Sequence, residues 1–240
     1  MTQLALVELR LLLRKRITAL SVVIVPVALA ALVLLGQRPE DPVAWGRMLG
    51  SNVLLLTVLS TYLVTLTVFT ARRQSLVLKR LRTSSLSDVG IVAGVLGPVV
   101  VIGLAQTVCY LAFCVAAGAP APSSFDVVPG VLLCVAVATV LGVATACLSR
   151  SVEATQLTGT PVAIAAMASV FLTSTSSPVA AGVALALPLS GPADLVARGW
   201  SAGAVLGDVP VVPLDLASSV LWLGVAGLVI NRAFRWEPRN

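Results

Sequence analysis

The chain contains no histidine and only ten acidic residues in 240. Lacking histidine, it lacks the side chain that most often serves as general base or metal ligand near neutral pH. Lysine is nearly missing too: Lys15 and Lys79 stand alone, and the other fourteen basic residues are arginine. Charged residues make up only 11% of the chain, against roughly 25% in soluble domains. The four cysteines, Cys109, Cys114, Cys134 and Cys147, all lie inside apolar runs, without the close pairing of a zinc or redox motif. They read as small packing residues, and no metal site is expected.

What the chain has is apolar length. Hydrophobic residues reach 58% and the mean hydropathy is +1.02, the composition of a membrane protein. A bilayer core takes about 20 apolar residues in helical form. Six stretches qualify: about 17–36, 48–70, 89–117, 127–148, 155–173 and 211–230. The expected fold is all-α, a single polytopic domain over 1–240 with six transmembrane helices. The first stretch follows Arg14, Lys15 and Arg16 and could pass for a signal peptide, with Ala28-Leu29-Ala30 as cleavage site. Its length favours an uncleaved helix. Pro26, Gly97, Pro98 and Pro161 are tolerable inside spans, where neighbouring helices satisfy the freed backbone groups.

Orientation follows from the basic residues. With the N-terminus in the cytoplasm and six crossings, the inner side holds Arg10, Arg14, Lys15, Arg16, Arg72, Arg73, Lys79, Arg80, Arg82, Arg150, Arg232, Arg235 and Arg239. The outer side holds only Arg38, Arg47 and Arg198. Thirteen against three is a strong positive-inside bias, and it places both termini in the cytoplasm. The same placement argues against nucleic-acid binding despite a pI of 9.8, because the charges lie in short patches between apolar runs. Residues 2–16 form an amphipathic segment suited to the membrane interface and its lipids.

Two regions exceed plain connection. Residues 174–210 contain a twelve-residue apolar run, 178–189, bounded by Pro178 and the pair Pro188 and Pro192. It is too short to span, so one or two short re-entrant helices are expected from the outer face. The competing reading makes 155–189 two spans and puts 190–210 inside. Asp194 and Arg198, four apart, can pair on a helix. Asp215, about four residues into the sixth span, is either a cap on the helix start or an acid facing a substrate. Trp45 and Trp200 fall near the outer interface, as an aromatic belt requires.

The second region is ARRQSLVLKRLRTSSLSD, residues 71–88. On a helix, Val77, Leu78 and Leu81 share a face, while Arg72, Arg73, Lys79, Arg80 and Arg82 spread over the rest. Orientation needs charge but no amphipathic period, so the stretch also reads as a short helix packing on an apolar partner surface. Ser87 or Asp88 can cap the third span. No nucleotide-binding GxxxxGK[ST], HExxH, GxSxG or paired-carboxylate motif occurs. No catalytic residue is expected, and the chain does not hydrolyse ATP by itself.

At these residues the sequence resembles the ABC-2 type permeases, membrane subunits of bacterial ABC exporters. Members often carry RRESGTLKRLRATPLP between their second and third spans, and RRQSLVLKRLRTSSLS stands here at Arg72 to Ser87 with the LKRLR core intact. Gln74, Leu76 and Val77 replace the usual Glu, Gly and Thr, and Ser84-Ser85 the usual Thr-Pro. ELRLLLRKR resembles the family's N-terminal segment, ALPLSGPADLVARG its outer segment around Pro188, Asp194 and Arg198, and FRWEP its tail. The resemblance implies two permease subunits, identical or different, paired with two copies of a separate ABC ATPase subunit in the bacterial plasma membrane. ATP and Mg would bind that partner, with no cofactor in this chain. The segment after span two would be the coupling helix seated in the ATPase, and efflux of a drug, antibiotic or lipid the outcome. An ATP-independent channel, or a scaffold recruiting a soluble partner through the basic loop, is the alternative.

Overall fold

The computed structural model describes residues 16–36, 38–77, 87–174, 177–200 and 211–234. The regular structure there is all helical, with no strand among the described residues. Eight helices follow in order: α1 (Arg16–Leu35), α2 (Pro42–Gln74), α3 (Asp88–Ala116), α4 (Val127–Leu148), α5 (Thr155–Ser174), α6 (Pro178–Ala186), α7 (Ser190–Arg198) and α8 (Val211–Ala233). Five of them, α2, α3, α4, α5 and α8, are long and apolar enough to cross a membrane. Twenty-residue α1 lies where the first span was expected. Its buried Leu29 and Val33 face the bundle, and Val27, Leu32 and Leu35 stay exposed.

Local signals account for the boundaries. Asp41 accepts a hydrogen bond from the Ala44 N–H at 2.6 Å, and Pro42 follows at the first helical position. Ser87 caps α3 by accepting from the Gly90 N–H at 3.2 Å. Pro26, Pro98 and Pro161 sit inside α1, α3 and α5, none of which ends at its proline. Helix α2 is the longest element, 33 residues or about 50 Å at helical rise. Its middle, Thr57–Tyr62, is wound as a π-helix, a form common at functional sites.

The packing fixes the direction of each long helix. Helices α2, α4 and α8 start at one end of the molecule, where α7 packs: Gly50, Val127 and Asp215 all adjoin α7 or the turn after it. Their far ends also meet, with Arg73 beside Cys147 and the Phe69 and Phe234 rings 6.1 Å apart. Helix α3 runs back, since Asn52 donates to the Tyr110 hydroxyl at 2.7 Å. So does α5, whose Gly159 adjoins Leu66 and whose Ser169 contacts Ser190. Helices α2 and α4 form the core and are mostly buried, whereas α3, α5 and α8 expose much of their apolar surface. Such broad apolar exposure suits a lipid surround.

Residues 178–198 make two nine-residue helices, both too short to span. The competing reading with two spans in 155–189 is not what forms. Trp45 and Trp200 are not belt residues: they are 4% and 2% exposed, packed inside the protein. The Trp200 indole N–H donates to the Pro120 carbonyl at 2.6 Å. Cys114, Cys134 and Cys147 are buried, Cys109 is exposed, and none of the four is in a disulfide.

Candidate functional site

Among the described residues two charged constellations stand out, one at each end of the bundle. The first is built on α7. Asp194 and Arg198 stand one turn apart, and Arg198 donates through Nη2 to Asp194 Oδ2 at 2.9 Å. Through Nε it donates to Asp215 Oδ2, also at 2.9 Å. Asp215 is fully buried, and its Oδ1 has no hydrogen-bond partner among the described residues. Its carboxylate is thus directed at Arg198 and not at the N–H groups that open α8. The pairing of Asp215 with Arg198 spans 17 positions, a separation without helical periodicity, so no local spacing announces it.

Close packing brings the three groups together. Gly191 opens α7 against α8, and a Cβ there would stand 2.5 Å from the Asp215 carbonyl oxygen and 3.0 Å from Ser218 Cβ. Ser218 Oγ donates to the Leu185 carbonyl at 2.6 Å, tying α8 to the end of α6. Pro188 is buried in the turn between α6 and α7, and Leu189 beside it takes a left-handed φ of 69°. Burial works against the Arg198 charge, but Asp194 and Asp215 outweigh it and hold the guanidinium above its ordinary pKa. Removing one member of such a buried pair costs about 3–5 kcal/mol.

The second constellation lies at the other end, where α2 stops. Arg73 is 1% exposed. Its Nη1 donates to the Cys147 carbonyl at 3.4 Å and its Nη2 to the Ser149 carbonyl. These carbonyls terminate α4, where the helix dipole presents its negative end. Gln74 Oε1 accepts from the Val152 N–H at 3.3 Å. Arg72 and Val77 are half-buried. Leu78, Lys79, Arg80, Leu81 and Arg82, the rest of the expected docking face, lie outside the described residues, as do most of the N-terminal segment and the FRWEP tail beyond Phe234. Sequence reasoning placed Arg73 on a partner-facing surface; inside the chain it is bonded to α4. Thr65, Phe69 and Arg73, four residues apart, share one face of α2 and are all buried.

Neither constellation pairs a nucleophile with a base. Among the described residues no three His, Cys, Asp or Glu side chains stand together in a way that would hold a metal ion. The helices and their exposure define a multi-pass, all-helical membrane protein. No family model, no curated protein and no solved structure matches the chain.

Proposed function

We propose that this chain is the permease subunit of an ATP-driven exporter of the ABC-2 type, moving an apolar or amphipathic substrate such as a drug, antibiotic or lipid out of the cell. Two copies, or this chain and a related one, work with two separate ATPase subunits in a bacterial plasma membrane. The six-span arrangement, with α1 as the first crossing and both termini cytoplasmic, belongs to this proposal. The observation that carries it is the basic, amphipathic LKRLR segment between the second and third long helices, joined to a helix end that is anchored in the bundle.

Leu76 adds support. Helix α2 ends at Gln74 with Ser75 as its C-cap, and Leu76 follows at φ 58°. A left-handed residue at this position after a helix is usually glycine, and glycine is what the family segment carries there. The two short helices before α8 agree with the expected outer segment.

The test is co-expression with an ATPase subunit carrying GxxxxGK[ST], taken from the adjacent reading frame. The expected result is a stable complex whose ATPase drives export. Leu78→Asp or Leu81→Asp should leave insertion intact and uncouple hydrolysis from transport. Failure of any such ATPase to co-purify, or normal export by both variants, sinks the proposal and turns attention to an ATP-independent channel or scaffold.

A further inference from the structure

The polar groups around the end of α2 do more than satisfy one arginine. Tyr62 reaches from the π-helical turn to the Thr145 hydroxyl at 3.2 Å and the Gly159 carbonyl at 3.4 Å, touching α4 and α5 at once. One turn on, Thr65 packs on Gly142, where a Cβ would stand 2.8 Å from Thr65 Cβ. Leu66 packs on Gly159 in the same way, at 2.8 Å. Arg73 then holds the last carbonyls of α4, and Gln74 holds the Val152 N–H in the turn before α5. The turn is cross-braced in itself, since the Ser149 and Thr158 hydroxyls lie 2.5 Å apart and Ser149 Oγ donates to the Thr145 carbonyl at 2.9 Å.

We infer that Arg73 and Gln74 are positioning residues: they clamp the end of α2 to the turn between α4 and α5, so that movement of the segment after residue 77 shifts α2, α4 and α5 as one block. The physical reason is the environment of Arg73. A guanidinium that is almost wholly out of solvent keeps its charge by facing the carbonyl end of α4. Opening the joint would part the guanidinium from both carbonyls and lose these charge-assisted bonds. A hinge between the end of α2 and the turn joining α4 and α5 is therefore suppressed, and displacement of α2 passes to α4 and α5. The inference rests on the proposed function only in naming an ATPase as what moves the segment.

The clamp can be tested on the chain alone in lipid nanodiscs, so its failure and the failure of the transport reading remain separate. Spin labels go on Leu76→Cys and Glu153→Cys, both exposed, with the exposed Cys109 replaced by alanine. A narrow distance distribution is expected for native Arg73. Arg73→Gln should broaden it roughly twofold, as loss of the charge-assisted bonds raises the open population by about tenfold or more. Arg73→Lys, which keeps a charged donor near the same carbonyls, should narrow it again. A second label pair, Phe125→Cys with Glu153→Cys, brackets α4 and should not change. An equally narrow distribution in Arg73→Gln overturns the inference, as does a broad one with native Arg73. Equal broadening of the α4 pair also overturns it, since Arg73 would then hold the fold in general and not this joint.

Discussion

Leu76 holds a φ of 58° with its side chain partly exposed, at 39%. The left-handed region costs a non-glycine residue about 1–2 kcal/mol. Glycine removes that cost and forfeits about 0.5–1 kcal/mol in backbone entropy. Leu76→Gly should therefore stabilise the end of α2 by about 0.5 kcal/mol, visible as slower amide exchange over 71–77. Faster exchange would show that the Leu76 side chain carries an interaction the strain conceals. Individual residues were unevenly legible. Asp194 and Arg198 were readable as a pair because helical spacing alone puts them together. Arg73 was not, because charge at the edge of an apolar run looks like a solvated or partner-facing group. Only the fold shows that α4 delivers its carbonyl end to that spot.

The long elements were legible from hydropathy wherever apolar composition and helix coincide. Val127–Leu148 matches the expected fourth span, and α3, α5 and α8 differ from expectation by a few residues at most. Helix α2 differs more, because 48–70 captured only its apolar middle. Its start was signalled by Asp41 and Pro42, a capping pattern and not a hydropathy one. Its end runs through LTVFTARRQ, whose threonines and arginines lower the hydropathy while the helix continues. Thr67 is exposed and donates back to the Leu63 carbonyl at 2.8 Å, whereas the buried Thr65 packs on α4 at Gly142. A Cβ placed at Gly142 would stand 2.8 Å from Thr65 Cβ and 3.0 Å from the Tyr62 carbonyl oxygen. Gly142→Ala should lower the thermal midpoint of the solubilised chain, corresponding to a loss of about 1–3 kcal/mol from overpacking. Gly97→Ala meets nothing within 4 Å and should be neutral or slightly stabilising. Equal behaviour of the two variants would mean that α2 and α4 do not depend on that contact.

For the molecule as a whole, helix direction and charge bias are independent lines of argument. The packing puts the ends of α2, α4 and α8 at one pole and the short helix α7 at the other. The arginines beside those helix ends, Arg72, Arg73, Arg150 and Arg232, belong to the basic group assigned to the cytoplasm, while Arg38, Arg47 and Arg198 lie toward the α7 pole. A membrane-impermeant maleimide on intact cells joins the two lines. With Cys109 replaced by alanine, Arg38→Cys and Phe125→Cys should react from outside. Ser75→Cys and Glu153→Cys should react only after lysis. A tag before residue 16 decides whether α1 crosses. Its 20 residues are about 30 Å long, enough for the hydrocarbon core, and its exposed Val27, Leu32 and Leu35 need an apolar cover. The tag should therefore be reachable from inside only. Reaction from outside would leave five crossings, put the two termini on opposite sides and remove the six-span basis of the exporter proposal.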